Sequence, residues 1–232
     1  MILKSLREEV LEANLELVRR GLVIYTFGNA SGISRKEGLV AIKPSGVAYD
    51  ALKPEDLVVV DLDGKIVEGS LRPSSDLATH LILYRAFNEI NGVAHTHSSC
   101  ATAWAQAHKE IPCFGTTHAD YFCGSVPITR PLRPAEIRRE YEANTGRVIV
   151  ERSKKLDPLQ FPGVLVSGHA PFCWGESPSA AAHAAVVLEE LANLALKTIA
   201  INPKVRAISK HLHEKHFFRK HGKTATYGQD KT

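Results

Sequence analysis

The chain has 232 residues, 44% of them hydrophobic and 23% charged, with a formal net charge of +4; that length fills one sizeable core and the composition excludes disordered, collagen-like and coiled-coil classes. The only dense basic stretch, Lys204 to Lys223, is interrupted by histidines, so it reads as a solvated surface or as attraction of small anions to a cleft rather than as a nucleic-acid stripe. Cys100, Cys113, Cys123 and Cys173 form no C-x-x-C pair, the charged N-terminus is no signal peptide and no apolar run nears the roughly 18 residues of a membrane span, which together predict a reducing, cytoplasmic location.

Leu3, Leu6, Val10, Ala13 and Leu17 recur every three or four residues and predict a first helix ended by Gly21. Strand-like segments follow at LVIYTF, LVAI and LVVVDL, separated by the turn-type breaks GNASG, KPSG and DGK, with a hairpin about Asp63-Gly64. A helix is predicted from Pro73-Ser74-Ser75, with a serine as N-cap, to Asn88. GVAHTH reads as a short strand, SSCATAWAQAH as a helix, and 111–131 as irregular and aromatic. Pro134 starts another helix, which Gly146 stops. VIVER suits a strand or a helix end. GVLVSGHAPFCWG reads as a strand running into a loop, and Ser177-Pro178 caps a long helix with Val187, Leu191 and Leu194 on its buried side. A histidine-rich segment, 210–221, precedes a polar tail. The pattern predicts an α/β fold: a single domain over 1–232, three layers α/β/α about a central, mostly antiparallel sheet.

His95-Thr96-His97 places two imidazoles on one face of a predicted strand, about 6–7 Å apart at Cα, where they can share a metal. The same spacing suits a pair of hydrogen-bonded interior histidines. His211-Leu212-His213 is an internal control, because on a helix two residues span about 200° and the rings diverge. His169, at a strand end, is a third candidate ligand, and Asp76 a fourth; three imidazoles with a carboxylate or water suit Zn²⁺, Mn²⁺ or Co²⁺. His80, four residues after Asp76, either orients that carboxylate or makes a local hydrogen bond, and Cys100 reads as an inert thiol. Lys43-Pro44-Ser45-Gly46 and Pro73-Ser74-Ser75 suit an anion, the second through a helix N-terminus, with Gly28 to Gly32 as a third loop beside them; each alone is also an ordinary turn or cap.

GNASG, IKPSG, RPSSD, HTHS, GTTHADYF and GVLVSGHAPFCWG stand in the order found in the class II aldolase and epimerase family, which the chain resembles over nearly its whole length, including KHFFRKHG and the YGQ after it. The resemblance implies a class II aldolase-like fold with a Zn²⁺ site of Asp76, His95, His97 and His169. It implies phosphate recognition by Asn29, Lys43, Ser45, Gly46, Ser74 and Ser75, with Arg219 reaching in from elsewhere. Asp120 and Tyr227 match the acid and base, which in the family arrive from a neighbouring subunit of a tetramer with C4 symmetry. The tail, about 210–232, would complete the site at that interface, and Thr116, Glu142 and His216 match positions lining the same pocket. The implied reaction inverts C4 of a ketopentose 5-phosphate by retro-aldol cleavage of C3–C4 and re-addition through a metal-stabilised enediolate. Related aldolases carry Glu where this chain has Asp76, which favours epimerisation over cleavage of a deoxyketose 1-phosphate. The three retained histidines speak against a non-catalytic scaffold of the same fold. One departure is SGHA, 167–170, where relatives often show a second histidine just before His169; the ligand stays, and the contacts supporting it differ.

Overall fold

The computed structural model describes residues 1–222 and 225. Seven strands form one sheet: β1 (Gly28–Ser34), β2 (Leu39–Ile42), β3 (Val58–Asp61), β4 (Ile66–Glu68), β5 (Gly92–Thr96), β6 (Gly163–Leu165) and β7 (Pro171–Gly175). Their order is β4-β3-β2-β1-β5-β7-β6, and each neighbouring pair is antiparallel. The helices are α1 (Lys4–Arg19), α2 (Leu77–Ala86), α3 (Ser99–Gln106), α4 (Thr116–Ala119), α5 (Pro134–Arg138), α6 (Tyr141–Ser153), α7 (Pro178–Ile201) and α8 (Lys210–His221).

Strand alternation sorts the side chains into layers. Val40, Ile42, Val58, Val60, Val93 and Trp174 pack against Leu81, Leu83 and Tyr84 of α2 and Ile149 of α6. Their neighbours in the strands, Ala30, Ala94 and Cys173, face the other way, onto Ala13 and Leu17 of α1, Trp104 of α3 and Leu188 of α7. Ala41 and Val59 join Val10 of α1 in a further cluster. The sheet thus lies between two helical layers, as the composition of its strands predicts. Leu17, Leu83 and Leu188 are fully buried, each contributing roughly 1.5–3 kcal/mol. Ser177 caps α7 as expected, its Oγ accepting from Ala180 N at 3.1 Å.

Several local expectations are overturned. LVIYTF is not a strand: residues 22–27 form a turn and Tyr25 stands 85% exposed at φ 54°. GNASG, predicted as a loop, is central strand β1. Its glycines serve close packing: a Cβ on Gly32 would sit 2.6 Å from Pro178 of α7 and 2.8 Å from Leu6 of α1. Gly146 does not end a helix but lies inside α6, where a Cβ would come within 2.9 Å of Ile82; that close approach is how α6 crosses α2. VIVER is accordingly helix. Pro73-Ser74-Ser75 precedes its helix rather than opening it, since Asp76 is the N-cap and makes no side-chain cap bond. GVLVSGHAPFCWG is a hairpin, β6 and β7 joined by a tight turn. Leu194 of α7 is exposed, while Leu191 is buried. His97 falls one residue past the end of β5.

Candidate metal and phosphate site

The central strands bring three histidines together. His95 lies on β5 and pairs in register with Phe172 of β7, which stacks on it at 4.1 Å between ring centroids. That pairing sets the turn before β7, and with it His169, beside the end of β5 where His97 emerges. One ligand atom from each of His95, His97 and His169 lies within 4.8 Å of the others, and His95 Nε2 stands 3.1 Å from His97 Nε2. Three nitrogens about a tetrahedral Zn²⁺ at about 2.0–2.1 Å would be about 3.3 Å apart. His95 Nδ1 is 2.9 Å from Pro171 O; a carbonyl only accepts, so Nδ1 carries the proton and Nε2 keeps its lone pair for a cation. Burial, then the neighbouring His95 and His97, push His169 down to about 4. It is therefore neutral, as a ligand must be, across ordinary pH.

Among the described residues, the buried side-chain polar atoms with no hydrogen-bond partner include His169 Nδ1 of the triad itself, Asn29 Oδ1 on the cavity wall and His80 Nε2 behind Asp76. Unsatisfied polar atoms gathered in one place mark a site whose ligands complete it. The donor set therefore fits a divalent metal.

Asp76 borders the same cavity and accepts a hydrogen bond from Asn29 Nδ2 at 2.7 Å. Burial works to raise its carboxyl, but His95, His80, the Asn29 bond and His169 outweigh it and hold it below the ordinary value. It is not among the ligand atoms grouped within 4.8 Å. Ser31, two residues along β1 from Asn29, bonds both His80 Nδ1 and Tyr84 OH at 2.7 Å, so His80 has the local hydrogen bond that its position suggested.

The cavity holds about 580 Å³, and its other wall is the predicted anion region: Lys43, Ser45, Gly46, Ser74 and Ser75, with Asn29 and Glu142. The two anion segments are tied edge to edge, Ser45 N donating to Arg72 O at 2.9 Å and Ser74 N to Lys43 O at 3.0 Å. Lys43 is buried, its Nζ bonded to Val47 O at 2.7 Å and lying 4.6 Å from the centre of the Tyr49 ring. Burial pushes its ammonium down to about 8, so it is still charged at neutral pH and suits a phosphate.

Three lining residues escaped the sequence reading: Tyr141, whose ring centroid is 6.1 Å from that of His169, Phe27, 6.5 Å from His97, and Thr26. No motif points to Tyr141. Phe27 was hidden inside the false strand.

Asp120, Thr116, His216 and Arg219 do not line the cavity. They sit on and after α4 and on α8, where Arg219 Nη2 reaches Asp120 Oδ2 at 3.0 Å, His216 Nδ1 reaches Oδ1 at 3.2 Å and Lys220 Nζ lies at 3.7 Å. Burial raises the Asp120 carboxyl, but these three groups prevail and keep it ionised. Tyr227 lies outside the described residues. His213, the rejected member of the helical pair, bonds Phe122 O at 2.9 Å, clear of the triad. Among the described residues no helix is long and apolar enough to cross a membrane.

Residues 8–196 match the family model described as Class II Aldolase and Adducin N-terminal domain. L-ribulose-5-phosphate 4-epimerase UlaF of Salmonella paratyphi C (strain RKS4594) is 54% identical over 227 residues, 98% of this chain and 100% of its own. The protein of the same name from Salmonella typhi has the same identity and coverage. Among solved structures, YgbL of Escherichia coli, a putative aldolase/epimerase/decarboxylase, superposes with a TM-score of 0.73 at 25% identity, over 91% of this chain and 97% of its own. An L-fuculose 1-phosphate aldolase shares the fold, with a TM-score of 0.77 at 24% identity over 91% of this chain and 94% of its own.

Proposed function

The chain belongs to the class II aldolase and adducin family, and on that premise we propose that it is a metal-dependent enzyme interconverting L-ribulose 5-phosphate and D-xylulose 5-phosphate. The observation that carries this reading is one cavity with a triad of imidazoles at one side and a buried lysine between serine-bearing segments at the other. A sugar phosphate has matching ends, an oxygen-rich carbonyl region and a dianion.

In this reading Asp76, His95, His97 and His169 hold the metal, Zn²⁺ or in its place Mn²⁺ or Co²⁺. When bound, that cation supplies Lewis-acid polarisation of the substrate carbonyl. Lys43 gives the phosphate a charge, and Asn29, Ser45, Gly46, Ser74 and Ser75 give it hydrogen-bond donors and close backbone approach. The hydrogen on C4 is not α to the C2 carbonyl, so removing it directly is poor chemistry. Taking the proton from the C4 hydroxyl instead lets the C3–C4 bond break, with its electrons passing to the C2 oxygen. The aldehyde fragment then turns and is re-attacked on its other face. Inversion needs proton transfer on both faces, the work assigned to Asp120 and Tyr227. Thr116, Glu142, His216 and Arg219 complete the pocket. Because the Asp120 cluster lies apart from the cavity within one chain, we assign it to the cavity of a neighbouring subunit in a C4 homotetramer. The chain then acts as a single domain, 1–232, whose tail from about 210 onward closes the partner's site.

Incubating the metal-loaded protein with L-ribulose 5-phosphate should yield D-xylulose 5-phosphate at equilibrium. Accumulation of glycolaldehyde phosphate and its three-carbon partner alone would replace epimerase by aldolase.

A further inference from the structure

The turn that carries His169 is clamped from outside the cavity. It closes on itself through His169 N to Val166 O at 2.9 Å and Val166 N to Ala170 O at 3.0 Å, with Gly168 at φ 73°. Two further anchors fasten it to its surroundings. Ser167 N donates to Thr129 Oγ1 at 3.1 Å, and Gly168 N donates to Ala105 O, in the last turn of α3, at 2.9 Å.

The third anchor is a side chain. His108 Nδ1 is hydrogen-bonded to Ser167 Oγ at 2.6 Å, and Ser167 is only 8% exposed. A Cβ on Gly168 would meet the His108 ring at 3.4 Å, so the ring also packs over the turn.

The backbone under His108 is unusual. His108 follows the C-cap residue of α3 at φ 55°, with His108 N bonded to Ala105 O at 3.1 Å and Lys109 N to Trp104 O at 3.3 Å. These are the paired bonds of a Schellman cap, whose left-handed position glycine fills freely and a side chain fills at a cost. The helix ending alone gives no reason for an imidazole there. The bond to Ser167 does.

We propose that His108 is a positioning residue for the metal site: through Ser167 it fixes the turn that aims His169 at the cation. This rests on the reading of His95, His97 and His169 as metal ligands. His108 touches neither metal nor substrate and acts only through the turn.

The test separates this role from a merely structural one. His108→Gly removes the ring while supplying the residue best suited to the left-handed cap, so the metal-free protein should melt at the same temperature as the parent or higher. Its affinity for Co²⁺, measured by competition with a chelator, should fall about tenfold, and the visible absorption of the Co²⁺-loaded protein should change as the geometry of the three imidazoles loosens. Ser167→Ala should do the same, and the double variant should be no worse than either single one. His108→Asn, which tolerates the left-handed backbone and can bond Ser167, should recover most of the affinity and the parent spectrum. Parent-like Co²⁺ affinity and spectrum in His108→Gly would overturn the proposal, as would equal weakness in the glycine and asparagine variants, or a loss of affinity matched by a lowered melting temperature. A parent protein that binds no Co²⁺ would sink the metal-site reading itself and this with it. A parent that binds Co²⁺ but does not epimerise would sink only the function proposed above.

Discussion

The cavity and the Asp120 cluster are both polar, yet they are built differently. The cavity's lining comes from β5, from a hairpin turn and from two segments laced by backbone bonds, so its geometry is inherited from the sheet. Asp120 is held by side chains of α8, a helix that rests on the core through Phe217, on α4, and on Phe122 O through His213. In the proposed reading, binding belongs to the sheet-anchored part and proton transfer to the cluster held by α8. Disabling one should therefore leave the other's own property intact.

The largest effect should come from His97→Asn, which removes a ligand from the triad. Metal content should fall and turnover drop by roughly 10³-fold or more, while the melting temperature of the metal-free protein hardly moves; metal analysis beside steady-state rates checks it, and full metal occupancy in the variant would break the assignment. Asp120→Asn should lower kcat by about 10²–10⁴-fold, the range of a proton-transfer group, with metal content unchanged. Mixing these two inactive variants and allowing subunits to exchange sharpens the comparison. If cavity and cluster come from different chains, random assembly restores about a quarter of the parental activity, and no recovery would place both in one chain.

A smaller effect follows from Lys43. Its charged form, the one suited to a phosphate, is present below about pH 8. KM for the sugar phosphate should therefore rise by up to about tenfold between pH 7 and 9. The stability of the ligand-free protein should move the other way. Between about 8 and the ordinary lysine value of 10.5 the unfolded chain holds a proton that the folded one has released, so stability climbs with pH across that window. A flat KM profile, or unchanged KM in Lys43→Met, would remove Lys43 from phosphate binding. The smallest effect is the control in neither region: Ser177→Ala deletes the cap of α7 and should cost about 1 kcal/mol by denaturant unfolding, with kcat and KM unchanged.

How much of this was legible depended on which force set each element. LVAI and LVVVDL are short apolar runs bounded by turn signals, and with the DGK hairpin they fold as read. The histidine pair was legible because strand periodicity fixes which residues share a face, and His169 because a strand end is an open, rigid place for a ligand. Glycine caused the errors. It marks either a turn or a crowded crossing, and only the partner decides which: Pro178 and Leu6 lie over Gly32, and Ile82 over Gly146. Composition misled in the opposite sense at 22–27, where apolar residues stand exposed beside the cavity. The Asp120 cluster carries no local pattern at all, since residues 120 and 219 meet only through the tertiary fold; resemblance alone pointed to it.

The lacing of Lys43–Ser45 to Arg72–Ser74 has one more consequence. Asp76 follows that seam by two residues, so the candidate anion segments and the carboxylate that borders the triad's cavity belong to a single laced strip of chain. In the proposed reading such a strip works as a ruler: the span between the two ends of a ligand is set in the backbone before anything binds. A sugar phosphate one carbon longer or shorter between its carbonyl and its phosphate would satisfy one end only by surrendering the other.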